Sequence, residues 1–468
     1  MDSARVPYAE GWAMWRGCQA NFKEQILFSA VKGRSIPGKC YNSRTGTLSR
    51  QRTVQTEAKE APTAGSQAVH GKNGRGTMEQ NASGTLVRDI MLEFAELTGL
   101  AAPRGALRRY LWTDAFAVCN FLELYRQSAD ERYKQLALHL VDQVHRVLGR
   151  HRDDDPRTGW LSGLGEQEGA LHPTRGGLRI GKELNERGPG EPYDEQGEWD
   201  RDGQYYHYLT KWMHALDRVS RATGDPTCGR WAIELAKTAH ARFTYEASPG
   251  RAKRMYWKMS IDLSRPLVAS MGHHDPLDGL VTYLQLEAAA ARTSGRSAGP
   301  GLGTEIADMA LLCEGKSWET DDPLGIGELL STAYKLARLI LSEGLRQTDL
   351  LDDLLGASLE SLRSGAGRDF LKFPARYRLA FRELGLSIGL HALEKLSGLI
   401  RQAPRDPGGK HRLLSRTERL MQYLPLRESI ETYWLAPANR RTGEWMAHRD
   451  INMVMLATSL APEGYLSP

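Results

Sequence analysis

The 468-residue chain is poor in cysteine, in net charge and in long apolar runs, and each shortage removes a class of protein. Its five cysteines (Cys18, Cys40, Cys119, Cys228 and Cys313) form no CxxC pair and no zinc-like spacing. A disulfide framework and a Cys-based metal site are therefore not expected, and scattered thiols suit a reducing, cytoplasmic setting. The net charge is only +5, with no long basic run, so nucleic acid is not an expected partner. No apolar stretch reaches the roughly 20 residues of a membrane helix, and no secretory apolar core opens the chain, so no membrane partner is expected either. No GxxxxGK[ST] loop occurs and no metal constellation stands out, so the expected cofactor list is empty. Sustained strand alternation with hairpin signals is also missing.

What remains is helix. Residues 1–83 are rich in Gly, Ser, Thr, Lys and Gln and too weakly apolar to offset the entropy of ordering, so they read as a disordered extension. Met78, just before the periodic region, is an alternative start of translation. Residues 84–468 form the second expected unit. Leu86, Ile90, Met91, Phe94 and Leu97 carry the spacing of a buried helical stripe. Two hairpins follow, Tyr110–Gln127 with Glu131–Leu148 and Tyr205–Ala222 with Thr227–Phe243, turning at Ser128-Ala129-Asp130 and Thr223-Gly224-Asp225-Pro226. They repeat internally: Asp130, Ala137, Leu140 and His145 match Asp225, Ala232, Leu235 and His240 at equal offsets, the mark of a repeat architecture. Weaker pairs are Leu277–Arg292 with Thr304–Leu312, Ile326–Leu341 with Leu350–Leu362, and Arg376–Leu399 with Ser415–Tyr433. The leftover first and last helices, Leu86–Leu97 and Ile451–Leu460, complete a sixth pair. The expected fold is all-α, an (α/α)6 toroid of six helical hairpins. Connections within the clearest pairs are short, whereas His151–Asp200 and Tyr245–Gly272 are long, and long loops are usually functional. If first helices are inner, the long loops gather on the face where those helices begin.

Six polar clusters stand at those beginnings: Trp112-Thr113-Asp114, Asp200-Arg201-Asp202, His273-His274-Asp275, Asp321-Asp322, Phe373 to Arg378, and His448-Arg449-Asp450. In a ring they would line one mouth, where the helix dipoles favour anionic groups. Asp275 and Asp322, each before Pro, read mainly as caps, and Asp130 and Asp225 as structural. Capping leaves Asp114, Asp202, Asp278, His274 and His448 as catalytic candidates. Trp112, Trp199, Asp200, Tyr206, Arg265, His273 and Arg449 are candidates for binding substrate. Trp160, Trp257 and Trp445 join Trp112 and Trp199 on the long-loop face as flat platforms for sugar C–H faces. The segment Leu171–Gly177 reads as a flexible lid.

A ring of hairpins with acid-rich inner starts resembles the six-hairpin glycosidase superfamily, which includes the N-acylglucosamine 2-epimerase-like enzymes. The Trp-Thr-Asp at 112–114 and the Asp200/Asp202 cluster look like hydrolase carboxylates. Gly272-His273-His274 with His448-Arg449 looks like the paired histidines of the epimerases, although the Glu that usually follows the epimerase Gly-His is absent and Asp278 is the nearest substitute. The resemblance implies a carbohydrate-active enzyme with a small-molecule or oligosaccharide substrate. The main expectation is an inverting, two-carboxylate glycoside hydrolase, with Asp202 as acid and Asp278 or Asp114 as base. The alternative is a sugar 2-epimerase or isomerase using His274 and His448. A toroid that binds a glycan or peptide without catalysis is the third reading.

Overall fold

The computed structural model describes residues 73–102, 107–246, 248, 253–294, 301–364, 370–403 and 409–467, with the side chains of 73–83 and 293–294 excepted. Two units separate, Met1–Gln80 and Asn81–Pro468, and the account below concerns the second. The expectations of disorder over 1–72 and of a start at Met78 lie outside the described residues and side chains. The first helix, α1, runs Asn73–Leu97, so it begins upstream of the expected boundary at residue 84.

In chain order the remaining helices are α2 (Leu111–Ser128), α3 (Glu131–Leu148), α4 (Glu166–Leu171), α5 (Glu195–Asp200), α6 (Tyr206–Thr223), α7 (Pro226–Phe243), α8 (Asp275–Ser294) and α9 (Gly303–Cys313). After them come α10 (Pro323–Glu343), α11 (Thr348–Arg363), α12 (Ala380–Gln402), α13 (Gly409–Met421), α14 (Pro425–Leu435), α15 (Gly443–Ala447), α16 (Arg449–Leu460) and α17 (Glu463–Leu466). The reversals behave as the turn residues dictate. Ala129 takes a left-handed conformation at the end of α2, and the Asp130 carboxylate accepts from the Arg132 amide to start α3. Asp225 and Asp322 cap α7 and α10 in the same way, each before a proline at the first helical position.

Six inner helices close a ring. Helix α2 packs on α6, α6 on α8, α8 on α10, α10 on α12, α12 on α16, and α16 back on α2. The outer helices α3, α7, α9 and α11 each cover their own inner partner, while α13 and α14 together cover α12. The fold is the (α/α)6 toroid. The expected single helix Ser415–Tyr433 is split in two at residues 422–424: Pro425 lacks the amide a continuing helix needs and instead opens the second piece, with Leu424 before it still helical in its backbone angles. The seam between the ends of the chain is held by Asn120 of α2, which donates to the Val454 carbonyl of α16 at 3.1 Å and accepts from Thr458 at 3.0 Å. The same amide points at the Met91 sulfur of α1. The tightest helix pair, α10 with α12, rests on glycines: a Cβ at Gly327 would lie 2.0 Å from the Gly385 carbonyl oxygen. Large apolar side chains such as Trp212, Trp434 and Phe94 are fully enclosed, each contributing about 1.5–3 kcal/mol of burial.

The long loops contain strands too short to show an alternating pattern. A three-stranded antiparallel sheet places β1 (Gln204–Tyr205) beside β4 (Lys258–Met259) and β4 beside β5 (Pro266–Val268). A separate hairpin pairs β2 (Thr244–Glu246) with β3 (Lys253–Met255). The segment Leu171–Gly177 is no free lid. His172 lies 2.6 Å from Glu234, Thr174 donates to the Trp231 carbonyl, and Trp231 donates to the Leu171 carbonyl, so the segment is stitched to α7.

Candidate functional site

Ring order sets the geometry of the mouth. Helices α8 and α16 are three steps apart in either direction round the ring, so their first residues lie on opposite sides of it. The same holds for α6 and α12, and for α2 and α10.

The central cluster lies one to two turns inside the mouth. Asp278 of α8 accepts at Oδ2 from the Lys211 ammonium at 2.7 Å and from the Thr210 hydroxyl at 2.5 Å. Lys211 also donates to Glu328 of α10 at 3.1 Å, so one amine of α6 bridges two carboxylates from two other helices. Asp278 and Glu328 line a narrow recess with His274, Leu277, Leu329 and Thr332, and among the described residues Asp278 Oδ1 and Glu328 Oε1 have no hydrogen-bond partner.

The surroundings push neighbouring groups apart. Burial raises Asp275 well above the usual carboxylate range, with the Asp278 charge adding to it. Asp278 is also buried, but Lys211 and Thr210 outweigh that penalty and hold its carboxyl below the ordinary value. Asp275 Oδ1 lies 3.6 Å from His207 Nδ1, and Asp275 Oδ2 has no hydrogen-bond partner among the described residues, so this residue is not the simple cap expected of it. Burial lowers His207 to about 3 and His274 to about 4, so both imidazoles are neutral at physiological pH. His274 Nε2 faces the Trp318 carbonyl at 3.0 Å. A carbonyl only accepts, so Nε2 carries the proton and Nδ1 keeps its lone pair. His273 lies 3.2 Å from the Glu319 carbonyl. On the far side, His448 stacks on Phe381 at 5.7 Å, with Nδ1 3.7 Å from the Glu444 carboxylate. Arg449 donates to its neighbour Asp450 at 3.1 Å.

An aromatic wall rises from the cluster to the rim. Trp199 meets Trp257 edge-on at 5.2 Å, Trp257 meets Tyr205 at 5.4 Å, and Tyr205 meets both His207 and Tyr208. The hydroxyls of Tyr208 and Tyr110 are 2.7 Å apart, and burial pushes the Tyr208 phenol up to about 12. Trp199 is 39% exposed and Trp257 half-buried, so these two rings reach the surface. Trp112, Trp160 and Trp445, expected beside them as platforms, are buried instead, Trp112 against Phe116 and Trp445 against Trp434.

Several other candidates occupy structural positions. The second inner helix begins at Tyr206, not at Asp200, because the chain first makes α5, a turn and β1. Asp202 lies in that turn, fully enclosed. Its Oδ2 accepts from Arg179 at 2.5 Å and Arg152 at 3.3 Å, and its Oδ1 from the amides of Gly181 and Gly203 at 3.0 Å. Such a carboxylate, saturated by charged donors, is poorly suited to deliver a proton. Asp114 is buried, accepting from the Tyr110 amide at 3.0 Å with Arg109 at 3.5 Å, and burial outweighs both to raise it to about 6. Tyr206 is enclosed and donates to the Tyr283 hydroxyl at 2.9 Å. Arg265 donates to the Arg187 carbonyl and staples one loop to another, and Asp200 is exposed at the rim. Sequence reasoning missed Lys211, Glu328, His207 and Asp275 as members of the cluster. The signal available was a charge flanked by apolar residues within an inner helix, as in Gly327-Glu328-Leu329-Leu330.

No family model matches the chain, and no curated protein matches it. Among solved structures, the chain is similar to a cellobiose 2-epimerase from Bacillus thermoamylovorans B4167, with 13% identity over 76% of this chain and 88% of that one and a TM-score of 0.42. A cellobiose 2-epimerase from Spirochaeta thermophila DSM 6192 matches at 12% identity over 80% and 98%, with a TM-score of 0.42. A sugar epimerase from a ruminal bacterium matches at 11% over 75% and 87%, with a TM-score of 0.40. Among the described residues, no helix is long and apolar enough to cross a membrane.

Proposed function

We propose that the chain is a sugar epimerase or isomerase that moves a proton at the carbon beside the carbonyl of a ring-opened sugar. The observation that carries this reading is His274, a neutral imidazole with a fixed tautomer whose side chain borders the recess, on the helix opposite the one that presents His448. Epimerisation needs two bases on opposite faces of one carbon. In this reading neutral His274 takes the C2 proton and becomes an imidazolium, the resulting enediolate is stabilised by the Lys211 ammonium, and an imidazolium at His448 returns a proton to the opposite face, the two histidines then resetting by proton exchange with water. The aromatic wall ending in Trp199 and Trp257 supports a sugar as the substrate class.

The test is incubation with a panel of mono- and disaccharides in D2O, with products followed by NMR and mass spectrometry. One deuteron at C2 of the product is expected. His274→Asn and His448→Asn should each slow that exchange by roughly 10²–10⁴-fold. Turnover of the panel without C–D formation would reject this reading.

A hydrolase reading keeps one specific support, the opposed environments of Asp275 and Asp278. A carboxyl held protonated beside one held ionised is the acid and base division of glycoside hydrolysis. The acid would then be Asp275 rather than Asp202. Its signature is release of new reducing ends, lost in Asp275→Asn and unaccompanied by exchange at C2.

A further inference from the structure

The short helix α17 stands inside the ring rather than on its surface. It packs on α2, α10 and α16, and its residues bond to α6 and α12 as well. Gly464 is wedged against α2, where a Cβ would lie 2.4 Å from the Cys119 carbonyl oxygen and 2.8 Å from Glu123 Cβ. Its own carbonyl accepts from Arg218 at 3.1 Å. Glu463 pairs with Lys395. Tyr465 touches three separate walls. Its ring stacks on Phe116 of α2 at 4.2 Å, its carbonyl accepts from His214 of α6 at 2.8 Å, and the Lys335 ammonium of α10 sits 4.1 Å over its face. His214 and Lys335 lie eight and twelve residues past the first residues of their helices. At 1.5 Å per residue that is about 12 Å and about 18 Å below the mouth.

His214 and Lys335 lie three and seven residues deeper along α6 and α10 than Lys211 and Glu328, so Tyr465 sits beneath the central cluster. The residue is only 5% exposed.

We propose that Glu463–Leu466 is a plug that closes the toroid at the end opposite the mouth, and that Tyr465 is the specificity-determining floor of the site. The floor makes the interior of the ring blind below the central cluster: a ligand enters from the rim by one end, stops above the phenol and offers that hydroxyl a polar group. The ligand class is therefore the terminal unit of a sugar, not a chain threaded through the ring. The sealing role stands on geometry alone, while the sugar specificity rests on the function proposed above.

The test separates the two. Cys119 lies beneath the plug, whereas Cys228 and Cys313 are buried elsewhere, and burial raises all three thiols to between about 11 and about 12. Native-state alkylation with iodoacetamide, read by peptide mass mapping, should label Cys119 at least about 10-fold faster in Tyr465→Ala and leave Cys228 and Cys313 at the parent rate. Equal acceleration at all three sites, or no change at Cys119, would overturn the plug. For specificity, Tyr465→Ala should raise the kcat/KM ratio for a disaccharide over its monosaccharide by about 10-fold or more, in line with 10–200-fold for small steric changes in a pocket. Tyr465→Phe should keep the parent ratio while raising KM, because it retains the ring and removes the hydroxyl. An unchanged ratio in a cooperatively folded Tyr465→Ala removes the floor. Absence of sugar turnover in the parent removes the proposed function and leaves the plug to be judged by the Cys119 labelling.

Discussion

Asp202 and Asp278 look alike in the sequence, each an Asp-Gly near the head of an inner helix, yet the fold gives them opposite surroundings. Asp202 spends both oxygens on two guanidiniums and two backbone amides. Asp278 spends one oxygen on Lys211 and Thr210 and leaves the other towards the recess. Both carboxylates accept from cationic donors. What separates them is the free lone pair, since a group with no unoccupied acceptor site can neither meet a substrate nor exchange a proton without breaking the fold. The long loops depend on the first arrangement, because Arg179 also donates to the Val147 and Arg150 carbonyls and so ties the loop to the end of α3.

The largest effects should come from exchanging these two carboxylates for amides. Asp202→Asn leaves Arg179 buried without its counter-charge, and removing one partner of a buried pair costs about 3–5 kcal/mol. Chemical denaturation should show that loss, with activity falling only as the folded fraction falls. Asp278→Asn leaves Lys211 its pair with Glu328, so the stability loss should stay below about 2 kcal/mol while turnover drops about 100-fold or more. The comparison collapses if Asp202→Asn keeps its parent stability, or if Asp278→Asn keeps its parent turnover.

Asp114 supplies an intermediate case and a smaller effect. It has one amide and one longer guanidinium contact, too little to overcome burial, so its folded pKa of about 6 stands above the unfolded value near 3.9. For a carboxyl raised in this way the folded state holds the proton more tightly. The stability it contributes is complete below about pH 4 and is lost as pH rises through about 6. Two units correspond to roughly 3 kcal/mol, as an order of magnitude. Denaturation midpoints for the parent and Asp114→Asn between pH 4 and pH 7 should therefore diverge, with the parent losing stability relative to the variant. Parallel curves would mean that Asp114 is as well satisfied as Asp202.

The ring was legible because its signals are local and repeated. Apolar residues at helical spacing, with Ala129-Asp130 and Gly224-Asp225-Pro226 at the reversals, specify hairpins before any tertiary contact is known. Closure of six such units follows from their number. The loop strands left no pattern, because two or three residues cannot display an alternation. The site was half legible. Asp278 and His274 could be placed at the mouth from the position of their helix start. Asp202 and Tyr206 were misassigned because the second inner helix begins at Tyr206, later than the Asp200 cluster, which turns Tyr206 into the core and His207 towards the mouth. Lys211 and Glu328 were not singled out from sequence, since their spacing does not reveal that they face each other across two helices. Trp112 and Trp445 show the same limit: position near a loop says nothing about which side of the backbone a ring will pack.

Trp199 gives the smallest effect and sharpens the contrast between the rim and the enclosed groups. It is exposed, and its main contact is the edge of Trp257, so Trp199→Ala removes an aromatic pair worth about 0.5–1.5 kcal/mol and little else. If the wall serves as a binding platform, the loss falls equally on the bound ground state and the transition state. KM should then rise by about 3–10-fold with kcat unchanged. A fall in kcat at constant KM would show instead that Trp199 acts through Trp257 and Tyr205 on the placement of His207, making the rim part of the proton-handling geometry rather than a surface on which the sugar rests.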